Sequence, residues 1–325
     1  MGRREGYSRL IVWALGAVLL CGCGSRHKAV PVGEFLPEND AFWEVVPRSA
    51  YTERIGIHFE FTEGPVWHPK GYLVFSDIPA NTVYKWTGRK YVSYLDSSNQ
   101  ANGLLFVPGG DLLACEHATR SISRISLEGK RTEVAGSFEG RRLNSPNDLC
   151  RSSQGVIYFT DPPWGLPLGN DDPGKELNFN GVFRVDRGRV SVVDSTLSWP
   201  NGIALSPDEH YLYVANMEIE EVDGEEQYDV FWMRYTLNEL GEPVDKKVFF
   251  RAPDPTLPGG PDGMTVDRQG NLFVTGPGGI LVVSPEGVCL GTISLPVPAS
   301  NLVFGPREKK LYITARSTVY RVTME

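Results

Sequence analysis

The chain has 325 residues, 41% of them hydrophobic and 11% aromatic, with 35 Gly, 24 Pro and a formal net charge of −8. That much apolar material can bury one large core or two ordinary ones, and the Gly and Pro content suits many short strands joined by tight turns. The acidic balance argues against a nucleic-acid surface, which needs clustered positive charge, and carries no message about substrate beyond solubility.

At the N-terminus, Arg3, Arg4 and Arg9 precede an apolar run from Leu10 to Leu20 that ends in Cys21-Gly22-Cys23. A charged start, a short apolar stretch and a small residue before the cut describe a bacterial export signal. Leu20-Cys21-Gly22-Cys23 resembles a lipobox, in which Cys23 carries the lipid and becomes the new terminus. The run falls short of the roughly 20 apolar residues that a spanning helix needs. An ordinary cleaved signal and an uncleaved anchor are the alternatives. Residues 1–22 are thus read as a signal peptide, 23–40 as a tether and 41–325 as the folded domain. The expected product is exported and lipid-anchored, on the periplasmic side or in the outer membrane. Three further cysteines, Cys115, Cys150 and Cys289, sit in apolar strand patterns and read as free buried thiols, with no metal-binding spacing.

Tyr51–Phe59 reads as a strand, and after it one phrase recurs six times. A polar residue, usually followed by Gly, opens a short apolar strand; a turn, a second apolar strand and a third follow. The openings are Glu63-Gly64, Asn102-Gly103, Asn147-Asp148, Asn201-Gly202, Asp262-Gly263 and Asn301-Leu302. Their spacing of about 40–60 residues, with β-branched and aromatic runs lacking any 3.6 period, matches propeller blades of four strands and excludes helical solenoids. The predicted fold is all-β: a six-bladed β-propeller around a central metal site, with Tyr51–Phe59 closing the ring as the outermost strand of the last blade.

In a propeller the first strand of each blade lines the axis, so the six opening residues meet at one end of the channel. Two carboxylates and four amides in a partly dry space are costly without a cation. Every candidate ligand is an oxygen, which points to a hard ion. Calcium tolerates neutral carbonyls and irregular geometry; manganese follows, magnesium demands a stricter octahedron, and an oxygen-only zinc site is disfavoured. An Asn or Asp before Gly is ordinarily a turn former, so the case rests on six coincidences at one place in the repeat. Asn102 and Asn301 are set aside from the metal to leave room for a substrate.

Glu63-Gly64-Pro65-Val66-Trp67, Leu143-Asn144-Ser145-Pro146-Asn147-Asp148, Phe159-Thr160-Asp161-Pro162, Pro200-Asn201-Gly202 and Pro261-Asp262-Gly263 resemble, as an ordered set over about residues 60–323, the gluconolactonase/regucalcin (senescence marker protein) family of calcium-dependent hydrolases. Diisopropyl fluorophosphatase and the paraoxonases are more distant relatives of the same architecture. The resemblance implies metal ligation by Glu63, Asn147, Asn201 and Asp262, with the Asn147 contact made through water in some members. It implies hydrolysis of small lactones, with Asp262 as general base or nucleophile. Regucalcin carries an Arg at the position of Ser145, so that Arg's role does not transfer.

Asn102, Asn144 and His117 are expected to bind substrate, against the alternatives of capping for Asn144 and loop packing for His117. Two insertions, residues 162–180 and 217–228, suggest a lid. Trp164 is a candidate stacking surface, and the acidic stretch after Met217 reads as a solvated loop. Esterase or organophosphate hydrolysis on the same site, and a non-catalytic lipid-anchored binding propeller, are the competing readings. Small-molecule lactones or esters and a membrane are the expected partners of a monomeric domain.

Overall fold

The computed structural model describes residues 31–222 and 225–325; Cys23 and the signal region lie outside them. Six antiparallel sheets are arranged as blades, five of four strands and one of five, with neighbouring strands consecutive in sequence except where the N-terminal segment joins blades five and six. Blade one is Thr62–His68, Tyr72–Asp77, Thr82–Trp86 and Tyr91–Asp96. Blade two runs from Ala101–Phe106 to Arg131–Ala135 and blade three from Leu149–Arg151 to Arg189–Asp194. Blade four runs from Ile203–Leu205 to Pro243–Arg251 and blade five from Met264–Val266 to Cys289–Ser294. Blade six is Asn301–Phe304, Lys310–Ala315 and Thr318–Thr323, completed from the other end of the chain by Tyr51–Gly56.

That closure pairs Tyr51 with Thr323 and Thr52 with Val322, with an ion pair between Glu53 and Arg321. The ring is therefore held by a ladder between distant parts of the chain, as the sequence predicts, and no long inner edge is left open.

The second strands show why the repeat is legible. Ile157–Asp161, Leu112–Glu116 and Leu272–Gly276 are buried along their whole length, because each is covered on both faces by neighbouring blades. A strand buried on both faces reads as a continuous apolar run. Clusters such as Leu113, Cys115, Leu149, Phe159 and Phe183 fill the space between blades two and three.

Two expectations change. Within the stretch read as tether, Glu34–Pro37 forms a fifth strand on blade five, pairing Phe35 with Ile293. Phe42, in the short helix Phe42–Val45, is fully buried against blades five and six. The folded body thus starts before residue 41, because a strand covering an outer edge also shields its unpaired amides. The acidic stretch after Met217 is not a loop. Tyr211–Val222 and Glu225–Leu237 form one long hairpin, registered through Glu218↔Asp229 to Val222↔Glu225. Extension of blade four's own ladder satisfies those backbone groups.

Candidate active site

The six openings converge as the repeat requires, and the local chemistry explains their form. A Cβ on Gly202 would lie 2.1 Å from the carbonyl oxygen of Asp262, and one on Gly64, at φ 47°, would lie 2.0 Å from that of Asn102. Glycine after the polar residue lets one blade's opening approach the next, which no other residue permits there. Hydroxyls fix the carbonyls of the same openings: Ser76 donates to Asn102 at 2.7 Å, Thr160 to Asn201 at 2.6 Å and Ser300 to Thr62 at 2.7 Å. Each of these bonds joins one blade to the next.

The result is the floor of a cavity of about 580 Å³. Glu63, Asn102, Asn147, Asn201 and Asp262 all line it, and His117 joins them from the turn after blade two's second strand. Phe61, Ile78, Trp164, Met217 and Pro298 form much of the wall. Glu63 accepts from its neighbour Gly64 N at 2.7 Å and from Asn301 Nδ2 at 3.2 Å. The Asp262 carboxyl is close enough to influence it, and the Asn201 amide in turn influences Asp262.

Burial is the main cause that lifts the Glu63 pKa to about 8 and holds that of Asp262 well above the ordinary carboxylate range. Repulsion from Asp148 adds to both, and repulsion from Glu63 raises Asp262 further. Meanwhile the Oδ1 atoms of Asn201 and Asn102 are buried without a hydrogen-bond partner in the described structure. The floor is therefore rich in oxygen acceptors and short of donors. A hard cation would meet both deficits, neutralising the carboxylates and engaging the idle amide oxygens. Glu63, Asp262, Asn201 and Asn102 carry these deficits, and Asn147 lines the same floor.

Asn301 faces the same carboxylates, but its Oδ1 is taken by Leu302 N at 2.8 Å and its amide nitrogen donates to Glu63. Asn102 Nδ2 lies 3.4 Å from His117 Nε2. Burial lowers the His117 pKa to about 4, so it stands in the site as a neutral imidazole able to exchange hydrogen bonds.

Asn144 is placed elsewhere than expected. It is fully buried and does not line the cavity; its amide donates to the carbonyls of Asp161 at 2.9 Å and Phe179 at 3.0 Å. It fastens the blade-three insertion, the capping alternative, and is unavailable to a substrate. Cys115 is a buried free thiol, while Cys150 and Cys289 are partly exposed and also free.

Asp148 was missed by sequence reasoning. It is 8% exposed, accepts from Leu149 N at 2.9 Å and lies 3.5 Å from Asn301 Nδ2. Burial raises its pKa to about 6. The signal was present: the third opening is Asn147-Asp148 where four others have Gly. Its carboxylate lies at the axis beside Asn301.

The insertion of blade three brings Trp164 to the rim. Ser145 Oγ donates to Pro162 O at 2.6 Å and accepts from Gly165 N at 2.8 Å, clamping the loop on either side of the tryptophan. Trp164 is 46% exposed and stacks on Trp199 at 4.4 Å between ring centroids. Trp199 N donates in turn to Asn216 Oδ1 at 2.9 Å, and Asn216 Nδ2 to Glu218 Oε1 at 2.6 Å. The blade-four hairpin thereby supports the aromatic surface.

Residues 61–317 match the SMP-30/gluconolactonase/LRE-like region, and the chain belongs to that family. It is 39% identical over 314 residues to a gluconolactonase of Zymomonas mobilis, covering 90% of this chain and 85% of that one. Among solved structures it is similar to a gluconolactonase from Xanthomonas campestris, with a TM-score of 0.79, 30% identity and coverage of 91% and 97%. It also shares its fold with regucalcin, a calcium-binding protein from Agrobacterium tumefaciens, with a TM-score of 0.66, 17% identity and coverage of 84% and 94%.

Proposed function

We propose that the protein is a gluconolactonase-like hydrolase that opens small lactones with a calcium ion held by Glu63, Asn147, Asn201 and Asp262. The observation that carries the site is the buried Glu63–Asp262 pair beside the unpartnered Asn201 Oδ1, on the floor of a substrate-sized cavity. The likeness to gluconolactonases along nearly the whole chain supports the reaction class.

Bound calcium supplies a Lewis acid that polarises the lactone carbonyl and stabilises charge on its oxygen. Asp262, buried on the floor beside Glu63, either accepts the proton of the attacking water or attacks the carbonyl carbon itself. In the first route the water oxygen bonds to the acyl carbon, the acyl C–O bond of the ring breaks, and the ring oxygen takes up the proton that Asp262 accepted, leaving as the hydroxyl of a hydroxy acid. In the second the same bond breaks to leave an acyl-Asp262 anhydride while the ring oxygen takes a proton from water, and a further water hydrolyses the anhydride, releasing the hydroxy acid and restoring Asp262. His117, neutral through burial, holds a hydrogen bond with Asn102 and can pass one to a substrate hydroxyl. The apolar wall flanks the substrate, and Trp164 offers its face to a ring.

Lactone opening by the purified protein, lost on chelation and restored by calcium, is the expected outcome. Metal-loaded protein that opens none of a panel of sugar lactones would leave the binding-propeller reading in its place. Residues 1–23 support export with a lipid on Cys23, so labelled palmitate should enter the wild type and not Cys23→Ala; a variant still labelled would refute that anchor.

A further inference from the structure

In blades one, two, three and six the connection between the second and third strands reaches the cavity, at Ile78, His117, Trp164 and Arg316. In blades two and six that connection holds an arginine in left-handed backbone, Arg120 at φ 58° and Arg316 at φ 54°. The two are employed differently. Arg120 is buried, and its Nε and Nη1 donate to the carbonyls of Leu143 and Gly174, each at 2.7 Å. It fastens the blade-three insertion. Arg316 is exposed, lines the cavity, and lies over Phe61 at 6.0 Å. Among the described residues its guanidinium has no hydrogen bond and no acidic partner.

The backbone of Arg316 is nevertheless firmly placed. Its carbonyl accepts from Thr62 N at 2.7 Å and from Thr62 Oγ1 at 2.9 Å, one residue before Glu63. The turn is thus fixed relative to the floor while the guanidinium is free to reach a ligand. Folding does not call for arginine here. The corresponding turn of blade five uses Pro277-Gly278 with Gly278 at φ 86°, and glycine is the residue that takes such angles without strain.

Charge completes the argument. Of the side chains lining the cavity, Glu63 and Asp262 are acidic, His117 is held neutral, and Arg316 is the one cation. We infer that Arg316 is a specificity residue which takes an anionic substituent, carboxylate or phosphate, on the part of the lactone that projects toward the rim. The inference rests on the lactonase reading. A guanidinium forks onto either anion through two parallel hydrogen bonds. With the carbonyl directed to the floor and the anion to the rim, the two ends fix which way round the ring enters.

The test compares glucono-1,5-lactone, its 6-phosphate, and a glucaric acid lactone carrying a free carboxylate, using the full metal-loaded protein. Arg316→Gly suits the left-handed turn and keeps the fold; Arg316→Lys keeps the charge without the fork. The wild type should favour at least one charged lactone. In Arg316→Gly the charged-to-neutral ratio of kcat/KM should fall roughly tenfold, as expected for one charge-assisted contact. The loss should fall on KM, should shrink with added salt, and should be partly restored in Arg316→Lys. A ratio unchanged in Arg316→Gly, with the neutral lactone still opened, overturns the role of Arg316 alone. If none of the three is opened by the wild type, the lactonase reading fails and this inference with it.

Discussion

The floor and the rim of the cavity are built by different means. The floor comes from six copies of one device, a polar residue at the start of an axial strand, closely packed against the next copy. The rim comes from connections that share nothing but their place: a two-residue turn in blade six, a clamped insertion in blade three and a long hairpin in blade four. A repeated element has its geometry set by the ring, so its chemistry is common to the fold. A unique connection is free to vary, so the choice of substrate resides there.

If this division holds, floor substitutions abolish activity and rim substitutions redirect it. The largest effect is expected from Asp262→Asn, which should lower kcat by about a thousandfold, within the range for loss of a general base or nucleophile. Calcium affinity, read by calorimetry, should weaken less. Glu63→Gln should do the opposite, with calcium affinity as its main loss; an unchanged affinity would contradict the assigned ligands. Gly202→Ala should destabilise the fold by about 1–3 kcal/mol through overpacking, since its Cβ meets a backbone carbonyl at 2.1 Å. A denaturation midpoint equal to the wild type would show that the openings are looser than they look.

The pH dependence tests the floor without mutation. Glu63 rises from 4.5 to about 8 and Asp148 from 3.8 to about 6. A carboxyl raised in the folded state favours folding while protonated, and that contribution is lost as pH climbs through the folded value. Metal-free protein should therefore melt at progressively lower temperature between about pH 4.5 and 8. Calcium, which needs the deprotonated forms, should raise the melting temperature most near pH 8. A flat metal-free profile would mean that the carboxylates are solvated rather than buried.

The smallest effect is predicted at the rim. Trp164→Ala should raise KM by roughly three- to tenfold for a pyranose-sized lactone, the worth of one aromatic face, with kcat little changed. A collapse of kcat instead would place Trp164 in the chemistry and blur the line between floor and rim.

The sequence alone determined the blades, their number and the closing strand. Each follows from local rules repeated six times: a doubly covered strand must be apolar, and an axial opening must be polar with glycine behind it. Periodicity makes such rules visible even when any single copy is ambiguous. Asp148 escaped because it breaks the pattern, and a broken repeat announces a difference without saying where the side chain goes.

Only the tertiary structure decided the rest. Asn144 is spent on a loop, although its motif places it three residues from a ring position. Glu34–Pro37 is a strand because blade five offers it an edge, and the acidic stretch is a hairpin because blade four's ladder extends into it. Arg120 and Arg316 share a left-handed turn position, yet one is claimed by two carbonyls and the other faces the cavity. These outcomes depend on which distant groups arrive nearby, and proximity of that kind is set by the closed ring rather than by any short run of residues.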